Sequence, residues 1–158
     1  MRSKLLFAAI AVSLPGLVGC GGSGPATGGA TNRAAAPGLR SRPTEIYRVR
    51  LSGATETPRG AAHGVGAAII AFHGDSLVCW RFAHLHGFTD ATSARIQIGA
   101  SGRPGQVIIA LSPGPRLRHQ GCVPVSPALS RRIWARPNAY YVNVHSKRYP
   151  QGAVRAQL

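Results

Sequence analysis

The 158-residue chain reads as all-β, a single antiparallel β-sandwich or Greek-key barrel with one short helix, and three observations predict it. Apolar residues make up 44% of the chain but aromatics only 6%, so the core must be built from Val, Ile, Leu and Ala. Short β-branched and aromatic runs alternate at period two between Gly- and Pro-rich breaks. Helix signals gather in one place, after Ser126. There is room for one core, and no repeat of solenoid period occurs.

Taken in order, residues 45–51 put Ile46, Arg48 and Arg50 on one side and Tyr47, Val49 and Leu51 on the other, as a half-buried strand does. Residues 52–60 supply turn chemistry. Strands are expected over 64–72 and 76–85 around the tight turn His73-Gly74-Asp75, then over 94–98 and 106–111, separated by the Gly-rich loop 99–105. Ser126 is placed to cap a helix, Pro127 suits its first position, and Leu129, Ile133 and Trp134 follow a period near 3.6 until Pro137 stops it. Residues 140–145 and 153–158 form the last two strands around Tyr149-Pro150-Gln151-Gly152.

The N-terminus carries an address. Arg2 and Lys4 precede the apolar run 5–14, which is the length of a signal peptide and too short to span a bilayer. Leu17-Val18-Gly19-Cys20 resembles the bacterial lipobox, in which the Cys is lipidated and becomes the mature N-terminus. The expected organisation is a signal peptide over 1–19, lipidated Cys20 with a Gly/Pro/Ala-rich tether over 20–44, and the β domain over 45–158. Two or three acyl chains make a stable anchor, which predicts a cell-envelope protein held at a membrane and facing outside the cytoplasm. In such an oxidising compartment Cys79 and Cys122 read as a disulfide. Two separate thiols or a redox pair are the alternatives, without the Cys-x-x-Cys spacing.

Lys and Arg total 19 against four acids, a formal charge of +15 that attracts polyanions without choosing among them. Arg116, Arg118 and His119 in one loop, Arg131, Arg132 and Arg136 on the helix, and Lys147 and Arg148 near the last turn are the candidate basic surface; solubility charge is the plainer explanation. Catalytic motifs are missing: the acids are scattered, and no nucleophile elbow, P-loop or dinucleotide fingerprint occurs. His84 and His86 are two apart on one strand, a metal-compatible spacing. With His145 they are similar to the His-x-His arrangement of copper-zinc superoxide dismutase, which makes a metal-dependent redox protein the rival reading.

Two further stretches carry a family resemblance. Leu51-Ser52-Gly53-Ala54-Thr55-Glu56-Thr57-Pro58 is similar to the opening Leu-Ser-Gly-x-x-Glu-x-Pro of CHRD (chordin-type) domains. Tyr141-Val142-Asn143-Val144-His145, then Pro150-Gln151-Gly152 and a strand containing Arg155, resembles their close. The resemblance covers the chain from Leu51 onward and implies a β fold without a settled activity. One departure stands out. Such domains usually carry Ala-His-Ile-His-x-Gly where this chain has Ala94-Arg95-Ile96-Gln97-Ile98-Gly99, and neither Arg nor Gln replaces imidazole as a metal ligand. Arg95, Gln97, Asn143 and His145 are therefore expected to form a hydrogen-bonded polar cluster that fixes strand register. The function expected is a non-catalytic binding or scaffold domain on a membrane lipoprotein. It needs no cofactor or nucleic acid, and its partner is an anionic envelope component or a protein.

Overall fold

The computed structural model describes residues 44–158; the expected signal peptide, Cys20 and nearly all of the tether lie outside the described residues. Eight strands follow: β1 (Thr44–Ser52), β2 (Val65–His73), β3 (Leu77–His86), β4 (Ala91–Ile98), β5 (Val107–Ser112), β6 (Gln120–Pro124), β7 (Tyr140–Ser146) and β8 (Val154–Gln157). They form a single sheet in the order β5-β4-β7-β8-β1-β2-β3-β6, antiparallel at every pair. The sheet curls until its edges β5 and β6 lie side by side, a nearly closed barrel. Around that seam the spatial order is 7-4-5-6, a Greek key.

Alternation selects what goes inside. Leu51, Ala68, Ile70, Phe72, Val78, Trp80, Phe82, Ile96, Leu111, Val142, Val144 and Val154 meet in one buried cluster. Helix α1 (Pro127–Ala135) begins where expected: the Ser126 hydroxyl accepts from the Leu129 amide at 3.3 Å, and Pro137 follows its end. Ile133 is buried and the Trp134 ring meets Phe72 edge-on at 6.3 Å, so the helix packs over one end of the barrel. Arg131 ties it to the β2–β3 hairpin through Asp75 at 3.0 Å.

Strand β6 was not among the expected elements. Gly121 breaks the apolar pattern and Pro124 ends it, so the run looks like loop. The glycine is needed there, because a Cβ would lie 2.7 Å from the Trp80 ring. Cys122 therefore sits on a strand directly opposite Cys79, and the two form a disulfide. Val78 and Trp80 point inward, which puts Cys79 and the bond on the barrel's outer face.

Candidate functional site

Strand β7 is buried along its whole length, on both faces. Tyr140, Val142 and Val144 enter the core. Tyr141, Asn143 and His145 point the other way and are nonetheless 1%, 0% and 2% exposed, because two loops lie over the outside of β4, β7 and β8.

Arg155 on β8 fastens the first of these loops. Its guanidinium stacks on the Tyr141 ring, 3.3 Å from the centroid, and donates to the Arg103 and Ala100 carbonyls at 2.8 Å each. Gln157 donates to the Gly99 and Asn138 carbonyls, and Gly105 N–H donates to the Tyr141 hydroxyl, which in turn donates to Gln97 Oε1. The Gly-rich loop thus turns carbonyls toward a cation. A phosphate cradle would need amide groups there instead.

The second loop carries the Leu51–Pro58 motif to the Tyr149–Gly152 turn. Thr55 Oγ1 donates to the Arg155 carbonyl at 2.8 Å and Ala61 N–H to the Ala153 carbonyl at 2.9 Å. Glu56 is 5% exposed, and a Cβ on Gly152 would stand 2.2 Å from its Oε2, so only glycine lets the turn close on the carboxylate. The two ends of the family pattern meet in space at this contact.

Burial raises the Glu56 pKa above its ordinary 4.5, against the pull of the Thr57 N–H, Arg155 and Asn143. Burial lowers the His145 pKa below 6.5, opposed by its bond to the Pro150 carbonyl and assisted by Arg95. His145 Nδ1 lies 2.9 Å from that carbonyl and Nε2 lies 3.1 Å from Asn143 Oδ1, while Glu56 Oε2 and Asn143 Nδ2 lack hydrogen-bond partners. A half-turn of the Asn143 amide resolves this for a neutral imidazole. Asn143 Oδ1 then turns toward Glu56, Asn143 Nδ2 donates to His145 Nε2, and Nδ1–H donates to the Pro150 carbonyl. In this relay both pKa directions run toward the uncharged forms of the two groups.

Above the relay is a cleft of about 310 Å³ whose wall includes Thr57, Arg95, Gln97, Tyr141 and His145. Of the expected cluster, Arg95 faces Asn143 across the β4–β7 ladder, Gln97 faces Tyr141, and His145 faces Ser93. Arg95, Gln97 and His145 share the cleft, and Asn143 binds His145. Glu56, Tyr141, Arg155 and Gln157 were absent from the expected cluster, although Glu56, Tyr141 and Arg155 stand in the family motifs. The arrangement offers a cation and hydrogen-bonding groups at a shallow polar cleft, chemistry suited to recognition.

The structure does not bring His84, His86 and His145 together as a metal site. His84 adopts φ 53° at a bulge where β2 and β3 slip register, so strand alternation does not govern the pair. His84 and His86 are exposed and line a groove with Arg50 and Val65, whereas both ring nitrogens of His145 face partners inside the relay. Among the described residues, no three His, Cys, Asp or Glu side chains come together in a way that could hold a metal ion.

The basic residues separate into two groups. Strand directions place α1, with Arg131, Arg132 and Arg136, at the end where β1 begins. Arg116, Arg118, His119, Lys147 and Arg148 lie at the other end, where Leu117 N–H bonds the Ala91 carbonyl and Lys147 N–H the Asp90 carbonyl. Arg118 is held by the fold, 5.5 Å over the Trp80 ring and donating to the Leu111 carbonyl at 3.4 Å.

No curated protein and no solved structure matches the chain. A sequence model described as the CHRD domain matches residues 47–158, which takes in both motif loops and every strand except the first three residues of β1; the chain belongs to the CHRD domain family, whose domain is of binding or scaffold type.

Proposed function

We propose that this chain is an envelope lipoprotein, held at a membrane by lipid on Cys20, whose CHRD domain binds an anionic envelope polymer through its loop end. The observation that carries this reading is the clustering of exposed cations there. Arg59 and Arg148 line one cleft with Tyr149, and Lys147 and the Arg116 loop both rest on the Asp90–Ala91 backbone. Of the four acids in the chain, only Asp90 belongs to that exposed surface, since Glu56 is buried and Glu45 and Asp75 lie at the opposite end. Repeated phosphates or carboxylates gain from such a field, and the gain falls as salt rises.

The test is binding of a labelled glycerol-phosphate polymer across a salt series. Neutralising Arg116, Lys147 and Arg148 together to Gln is expected to weaken binding about tenfold or more, and neutralising Arg132 and Arg136 to leave it nearly unchanged. Equal loss in both variants would reduce the effect to net charge, and absence of binding at every salt concentration would end the reading. For the anchor, Cys20→Ser is expected to move the protein from the membrane fraction to the soluble one.

A further inference from the structure

We infer that the outer face of β1, β2, β3 and β6 is a docking surface for an anionic lipid bilayer. This face is separate from both the polar cleft and the loop end. Strand register arranges its side chains in rows. Arg50, Ala67 and Ala83 form one row, Arg48, Ile69, Arg81 and Gln120 the next, and Ile46, Ala71, Cys79 and Cys122 the third.

Two properties of the rows combine. Branched aliphatic side chains stand open to water, with Ile46 44%, Val65 40% and Ile69 39% exposed, above a floor of alanines and the disulfide. Three exposed arginines are set among them, and no carboxylate shares the face. Glu45 turns to the Tyr47 side of β1, Glu56 is buried beneath its loop, Asp75 is in the hairpin and Asp90 in the β3–β4 loop.

Such a plane fits the boundary between headgroups and acyl chains. Aliphatic side chains enter the boundary, while arginine stems lie along apolar surface and their guanidinium groups reach phosphates. Charge argues against a second copy as the occupant, because stacking this face on itself would set arginines against arginines with no acid between them. The absence of aromatic anchors in these rows argues against a protein hot spot.

The experiment uses the Cys20→Ser chain, so that no acyl group contributes, and measures co-sedimentation with phosphatidylglycerol-containing vesicles and with pure phosphatidylcholine vesicles. Binding to the anionic vesicles alone is expected. Arg48→Gln, Arg50→Gln and Arg81→Gln combined are expected to weaken it about a hundredfold, each cation near an anionic surface counting for roughly a factor of five. Ile46→Ser with Ile69→Ser is expected to weaken it about tenfold. The Arg116, Lys147 and Arg148 variant should bind vesicles nearly as the parent does, which separates this face from the polymer-binding reading. The inference is overturned if that loop-end variant alone abolishes vesicle binding, if neutral vesicles bind equally, or if the face variants change only self-association in analytical ultracentrifugation. An environment-sensitive dye on Ile69→Cys adds a readout independent of affinity: its emission should shift to the blue on anionic vesicles, and an unchanged spectrum overturns the docked orientation.

Discussion

The outer faces of β4-β7-β8 and of β1-β2-β3-β6 belong to one sheet and obey one alternation, yet they have opposite chemistry. On the first, loops cover the strands, and the outward side chains Tyr141, Asn143, His145, Arg155 and Gln97 are buried and bonded. On the second, outward side chains meet water, and they are arginines, alanines and isolated aliphatics. Cover makes the difference. Under a loop, each polar group needs a partner with defined geometry, whereas in the open any residue that tolerates water is accepted.

The comparison makes graded predictions. Arg155→Ala should be the most damaging, lowering stability by about 3–5 kcal/mol in urea unfolding, since it leaves the part-buried bonds to the Arg103 and Ala100 carbonyls unmade and removes the cation that lies on Tyr141 and beside Glu56. A loss below about 1 kcal/mol would mean that the covering loops are held mainly by other contacts. On the open face the one large effect is covalent. Cys79→Ser with Cys122→Ser should cost about 2–4 kcal/mol, because the bond closes a separation of 43 residues. Unfolding of the parent with and without reductant gives the same comparison without mutation.

Titration ranks next, through His145 and Glu56 on the covered face. Because folding lowers the His145 pKa below 6.5, the unfolded chain binds more protons between the two values, so its contribution is present above 6.5 and is lost as pH falls from there through the folded value. Glu56 works in the opposite sense. Its raised pKa gives a contribution fully present below 4.5 and lost as pH rises through the folded value. A pH series of unfolding midpoints should show His145→Gln flattening the acid side and Glu56→Gln the alkaline side; unaltered curves in both would remove the relay. Smallest of all, Arg48→Gln or Ile69→Ser on the open face should change stability by no more than about 0.5 kcal/mol. A larger loss would mean that this face is part of the folded-state packing.

Most strands were legible because their inward residues are apolar at every second position, as in Ile70, Phe72, Val78, Trp80 and Phe82. β6 was hidden by a glycine whose reason is the Trp80 ring, a neighbour that is distant in sequence. The bulge at His84 was equally hidden, because nothing local marks a non-glycine residue for positive φ. Cys79 and Cys122 were legible as a pair but not as partners across a strand ladder. The covered site was only half legible. Period two correctly sets Arg95, Gln97, Asn143 and His145 outward, but periodicity cannot tell an outward residue under a loop from one in water. Nor does it join Glu56 to Gly152 and Arg155; only the family motifs bracketed them.

The position of β8 has a consequence for the order of events during synthesis. It is the shortest way across between β7 and β1, and both neighbours need it to close the sheet. Its Arg155 also holds the loop over the first half of the site. Until residue 157 has been made, the N-terminal hairpins therefore have no route to the finished barrel. The chain thus carries its own delay, released only when its late strand arrives between strands made long before.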